Sequence, residues 1–323
     1  ILNGFAYGLV EPSTNALISR AWPEGGRRGF NFVYVARNAG VALGTAFGGL
    51  VAGYSFTAAF LANAAAALGY AAMVWRKVPA RVEPVPVVSG QPAARQPASR
   101  ERASAPATPA AQLELDPRWA VTAMGLLVLG VTLTWMAYSQ WQAVISVYMR
   151  TLGYSLASYS VLWTINGLLI VAGQPLVSWV TRRWVRGLTA QMVSGAALFA
   201  LAFGLVWQHP RYAGFVLGMV VLTLGEMLSF PALPAAAAQM ALPGRLGLFQ
   251  GLLGGAVSAG RMLGPVGGGA LYDRISPPGV LAAAAVACTA AAGVFASYRL
   301  AARRALSHAG RKTPTGWRKQ AVV

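Results

Sequence analysis

One cysteine, two histidines and eight acidic residues are all that 323 positions offer to disulfide, metal-ligand and carboxylate chemistry. Cys288 stands alone in an alanine-rich apolar run, so no disulfide framework forms within the chain, and His209 and His308 have no companions at metal-ligand spacing. The chain holds no Walker loop, dinucleotide fingerprint, nucleophile elbow or His-containing metal motif, which argues against an ATP-driven pump, an enzyme, a cofactor or a metal. Charge is scarce too, at 11% of residues. What there is sums to a formal +18, yet the basic residues lie between apolar segments instead of sharing one surface with aromatic platforms, so nucleic acid is not the partner they imply.

Apolar residues fill the space that charge leaves. They make up 56% of the chain, with a mean hydropathy of +0.53, which predicts a multi-pass all-α protein whose solvent is the lipid bilayer. Nine stretches are long enough to cross it: 2–19, 29–55, 56–75, 119–140, 156–181, 188–208, 212–240, 247–271 and 279–298. Pro, Ala, Arg, Gln and Ser without apolar periodicity mark 78–117 as a flexible linker. It separates a three-helix part, 1–77, from a six-helix part, 118–300, and a basic tail follows at 301–323. If linker and tail are cytoplasmic, the opposite loops keep only Arg150, Arg211 and Arg274, the asymmetry that the positive-inside rule requires.

The stretch 224–269 encodes two of these helices joined by a short turn. Its first arm carries Glu226 between apolar neighbours and is broken by Pro231 and Pro234; its second carries Arg261 and Pro265. Gly260, Gly264 and Gly268, four apart, leave one face of the second arm without side chains, so another helix backbone can approach it. A shift of 220 residues sets Gly40 on Gly260, Gly44 on Gly264 and Gly48 on Gly268, so the opening hairpin and this one form a parallel repeat. These glycines read first as packing and hinge surfaces.

Ionisable residues at membrane depth are costly and point to a pathway or a partner. In a helical hairpin, residues equally far from the turn lie at equal depth. Glu11 and Arg37 are centred on position 24, and Glu226 and Arg261 on the step between Pro243 and Gly244. At 1.5 Å per residue the pairs lie about 12 Å and about 20 Å from the turn end. Each acid therefore has a basic candidate partner and is a candidate for proton coupling, although depth does not fix the rotational face. Trp135, Tyr138 and Gln142 share a helical face, and Asn166 lies on a later helix. They are candidates for lining a substrate cavity, with an interfacial aromatic belt and plain interhelical hydrogen bonding as the competing readings.

With these motifs the chain resembles a major facilitator superfamily transporter of the drug/proton antiporter branch. The antiporter signature G-x-x-x-G-P-x-x-G-G stands complete as Gly260, Gly264, Pro265, Gly268 and Gly269. It stands again at Gly40, Gly44, Thr45, Gly48 and Gly49, with Thr45 in place of the proline. The resemblance implies a major facilitator-like helical bundle in which the nine spans are the family's helices four to twelve and three precede Ile1. It further implies a cell-membrane protein working by alternating access, with a small-molecule substrate, protons as coupling ion and no cofactor. Proton-coupled efflux of drug-like or amphipathic molecules is the expected function; a non-transporting remnant or an importer of the same fold are the alternatives.

Overall fold

The computed structural model describes residues 2–22, 25–77 and 115–309, and every regular element among them is a helix. The chain divides into two compact units, Leu43–Gln112 and the remainder. The smaller unit holds the second arm of α2 (Arg28–Tyr54) and all of α3 (Phe56–Lys77). Leu61, Leu68 and Trp75 of α3 are all exposed, an apolar surface suited to lipid or to other helices. Arg76 and Lys77 in its last turn complement the negative end of the helix dipole. The expected linker falls, over 78–114, outside the described residues.

The larger unit is opened by α1 (Leu2–Ala21) and the first arm of α2, and continues from residue 115. There α4 (Pro117–Tyr138) is started by the Asp116 carboxylate, which accepts from the Arg118 N–H at 3.0 Å, with proline at the first helical position where no N–H is needed. A break at Ser139 leads into α5 (Gln140–Thr151). Ser155 caps α6 (Leu156–Ala172), which bends by 58° at Gly173 into α7 (Gln174–Arg183), where Pro175 cannot donate to the helix ladder. Then come α8 (Leu188–Gln208), α9 (Tyr212–Ser229), α10 (Ala232–Met240) and α11 (Leu246–Ala309).

Five helical segments among the described residues are long and apolar enough to cross a bilayer unaided: Thr57–Lys77, Pro117–Thr151, Leu188–Gln208, Tyr212–Met240 and Leu246–Ser307. The bent α6–α7 pair makes a sixth. The expected spans 2–19 and 29–55 are helical, as α1 and α2, without being among these. Within α11, Ser276 takes φ 64° and ψ 164° ahead of Pro277 and Pro278, breaking the rod between the two spans expected there. One expectation needs correction: 301–309 continue α11, with Ala301, Ala302 and Ala305 buried, so the bundle extends past the predicted start of the tail. Residues 310–323 lie outside the described residues.

The core of the larger unit is aromatic and aliphatic, with Leu127, Phe199, Phe203, Phe215 and Phe295 nearly inaccessible. Helices α8 and α9 touch backbone to backbone at Gly195 and Gly225: a Cβ on Gly225 would stand 2.9 Å from the Gly195 carbonyl oxygen. Such contact is the usual means of helix association where lipid removes the hydrophobic drive. It also brings the C-terminal turn of α9 deep into the bundle.

Candidate functional site

Helix α9 is apolar except near its end, where Thr223 and Glu226, three residues apart, occupy one face and both are buried. Glu226 is 3% exposed. A carboxylate so placed is costly unless its oxygens are satisfied. Three helices supply donors: the Tyr138 hydroxyl of α4 at 2.9 Å and the Asn166 amide of α6 at 2.8 Å donate to Oε1, and the Tyr34 hydroxyl of α2 donates to Oε2 at 3.4 Å. Asn166 also donates to the Thr223 hydroxyl at 2.9 Å, which fixes its amide against α9. Among the described residues, every donor to Glu226 is therefore a neutral side chain.

A cation is fixed one residue away. Arg27, just ahead of α2, donates to the Met227 carbonyl at 2.7 Å, to Asn31 Oδ1 at 3.0 Å and to Gln191 Oε1 at 3.2 Å. Asn31 in turn donates to Gln174 Oε1 at 3.0 Å beside the α6–α7 bend. This polar clasp joins the start of α2 to α7, α8 and α9.

Beside Glu226 lies an aromatic cluster centred on Phe230. Trp135 stacks on it with ring centroids 5.0 Å apart and planes at 14°, and Tyr138 meets it edge-on at 5.4 Å. The Arg261 guanidinium lies over the Trp135 ring, 4.4 Å from its centroid.

Several sequence expectations meet here. Glu11 and Arg37 form an ion pair at 2.9 Å between α1 and α2. Glu226 and Arg261 do not. Their depths match, but Glu226 turns toward α4, α6 and α2, whereas Arg261 lies against the face of Trp135, so the rotational face decides against the pair. Trp135, Tyr138 and Asn166 are buried, and Tyr138 and Asn166 donate to Glu226. Gln142 is exposed, because the break at Ser139 ends the helical face it was expected to share with Trp135 and Tyr138.

Gly260, Gly264 and Gly268 pack against the end of α4 and the start of α5: a Cβ would stand 2.5 Å from Trp135 Cβ at Gly260 and 2.7 Å from the Met136 carbonyl oxygen at Gly264, and would collide with the Gln140 amide at Gly268. Gly40 and Gly44 have open space instead, and the surroundings of Gly48 fall outside the described residues. Pro265 is exposed on α11. Sequence reasoning missed Tyr34, Asn31 and Gln191; each is a hydrogen-bonding side chain inside an apolar run, the same signal that singled out Asn166.

A bundle of membrane-length apolar helices with a carboxylate buried among them defines a multi-pass membrane protein. The family model of the Major Facilitator Superfamily matches residues 1–207, and the chain belongs to that superfamily. It is similar to the uncharacterized MFS-type transporter YttB of Bacillus subtilis (strain 168), at 41% identity over 274 residues, covering 84% of this chain and 64% of that one. It is also similar to the uncharacterized MFS-type transporter YqjV of the same organism, at 26% identity over 281 residues, covering 84% and 63%. The chain thus spans less than two thirds of the length of these relatives. Among solved structures, the human organic anion transporter MFSD10 (TETRAN) aligns with a TM-score of 0.47 and 16% identity over 54% of this chain and 41% of that one.

Proposed function

We propose that the chain belongs to a secondary transporter of the cell membrane that exports amphipathic small molecules in exchange for protons, with Glu226 as the protonation site. The observation that carries this reading is a carboxylate at membrane depth whose donors, Tyr138, Asn166 and Tyr34, are all neutral. Such a group can take up and release a proton without breaking an ion pair. Ionised, it only accepts; protonated, one oxygen becomes a donor and no longer receives a hydroxyl. The long contact from Tyr34 is the weakest of the three and the first to go, which loosens α2 from α9. In this reading residues 1–77 contribute helices to one half and 118–300 form the other, the halves rock about the site, and linker and tail are cytoplasmic. The Arg27 clasp is then the closed cytoplasmic end.

The test is dye movement in proteoliposomes under an imposed pH gradient. The protein is expected to move an amphipathic fluorescent dye in response to the gradient, and Glu226→Gln is expected to lose that response while keeping exchange driven by the dye's own gradient. An equal response in Glu226→Gln overturns the assignment of Glu226. No movement by the unaltered chain favours the non-transporting alternative.

A further inference from the structure

The guanidinium of Arg261 is an intramembrane charge that the proton site does not use. It lies fifteen residues beyond Leu246, the first residue of α11, which is about 22 Å along the helix, a depth at which an arginine must face a partner or an aqueous path. Among the described residues no carboxylate lies within salt-bridge distance of it and no hydrogen bond leaves it; the guanidinium lies over the face of Trp135. Stacking occupies one face of the guanidinium and leaves its five N–H donors, which lie in its plane, free. Arg261 is also exposed.

An independent observation points the same way. Trp135 is 9% exposed, and among the described residues its indole N–H has no acceptor. A buried donor left unpaired is uncommon and calls for an explanation. Two neighbouring side chains thus offer donors only, one charged and one neutral, beside the aromatic faces of Phe230 and Tyr138.

We propose that Arg261 and Trp135 form the recognition site for an anionic group on an aromatic or amphipathic substrate, the carboxylate or sulfonate binding the guanidinium and indole N–H groups while the apolar body lies against the aromatic cluster. This rests on the transporter reading above and names the substrate class. Glu226 alone would favour the opposite charge. Glu226, however, is buried and its oxygens already accept from Tyr138, Asn166 and Tyr34, so the charge an incoming ligand meets first is the exposed guanidinium. Arginine suits the task, because its planar fork matches a carboxylate in two parallel hydrogen bonds.

Equilibrium binding to the whole chain in lipid nanodiscs tests this without requiring transport, so its failure is separable from failure of the proton-coupling reading. The probes share one ring system: 2-naphthoate, the neutral 2-naphthamide and the cation 2-naphthylmethylammonium. The anion is expected to bind the unaltered protein at least about tenfold more tightly than the cation, equivalent to about 1.4 kcal/mol. Arg261→Gln removes that preference, Arg261→Lys restores part of it, Trp135→Phe weakens the anion a few-fold, and the exposed control Arg150→Gln changes nothing. Cation binding as tight as that of the anion overturns the proposal, as does the absence of saturable 2-naphthoate binding. The probe series on the unaltered protein decides the matter even if Arg261→Gln fails to fold.

Discussion

The two hairpins of the repeat place an acid and a base at matched depths and use them differently. In the opening hairpin Glu11 and Arg37 meet at 2.9 Å, with 32% and 41% of their side chains exposed. In the second, Glu226 is buried among neutral donors and Arg261 lies on Trp135. Equal distance from a turn fixes depth through the helical rise, but whether two side chains meet depends on rotation about each axis. In the second hairpin that rotation is set by the glycines of α11, which seat Gly260 and Gly264 against α4 and carry Arg261 to the edge of that seam. A formed pair ties the first hairpin together, whereas the roles proposed for Glu226 and Arg261 require the two charges to stand apart.

The largest effect expected from breaking this contrast is at Glu226 itself. Glu226→Ala removes the acceptor of the Tyr138 hydroxyl and one acceptor of Asn166, at about 1–3 kcal/mol for each donor left unsatisfied. Thermal unfolding in detergent should show a clear fall in midpoint, with Glu226→Gln milder because an acceptor oxygen remains. A midpoint unchanged in Glu226→Ala would mean that the network contributes nothing.

The glycine repeat offers the next contrast. Gly264→Leu forces a side chain into the Met136 carbonyl and is expected to cost about 1–3 kcal/mol or more, whereas Gly40→Ala has open space and is expected to gain up to about 1 kcal/mol from helix propensity. Equal shifts in the two variants would show that the halves pack alike at these positions.

Smaller effects sharpen the charge comparison. A double-mutant cycle on Glu11 and Arg37 is expected to give a coupling below about 1 kcal/mol, since the pair is part-exposed. The same cycle on Glu226 and Arg261 is expected to give no coupling beyond about 0.5 kcal/mol. A larger value for the second cycle than for the first would restore the pair that matched depth suggested.

Much of this was legible in the sequence, and its limits have physical causes. The hairpin at 224–269 was readable because two apolar lengths flank a short turn, and Gly244 indeed takes φ +73° there. Glu226 stood out because nothing apolar surrounds itself with a carboxylate without reason. The cluster around it was only partly visible. Tyr138 and Asn166 are separated from Glu226 by 88 and 60 positions, and no spacing rule links residues on three different helices. The break at Ser139 hid the fate of Gln142, since a periodicity count runs straight through a residue whose φ of −64° and ψ of −15° are nearly helical. Arg27 lies in a short basic loop between two apolar stretches, where composition shows only a charge; its capture of the Met227 carbonyl depends on how α2 meets α9, which composition does not encode.

The central claim, that Glu226 is held by neutral donors and carries the proton, is tested most directly by infrared difference spectroscopy of the protein in lipid as pH is stepped. A carboxylic acid C=O band is expected to grow on acidification, to be absent in Glu226→Gln, to shift in Asn166→Ala, and to keep its position in Arg261→Gln. A band that persists in Glu226→Gln, or that moves when Arg261 is replaced and stays fixed when Asn166 is replaced, would contradict the account.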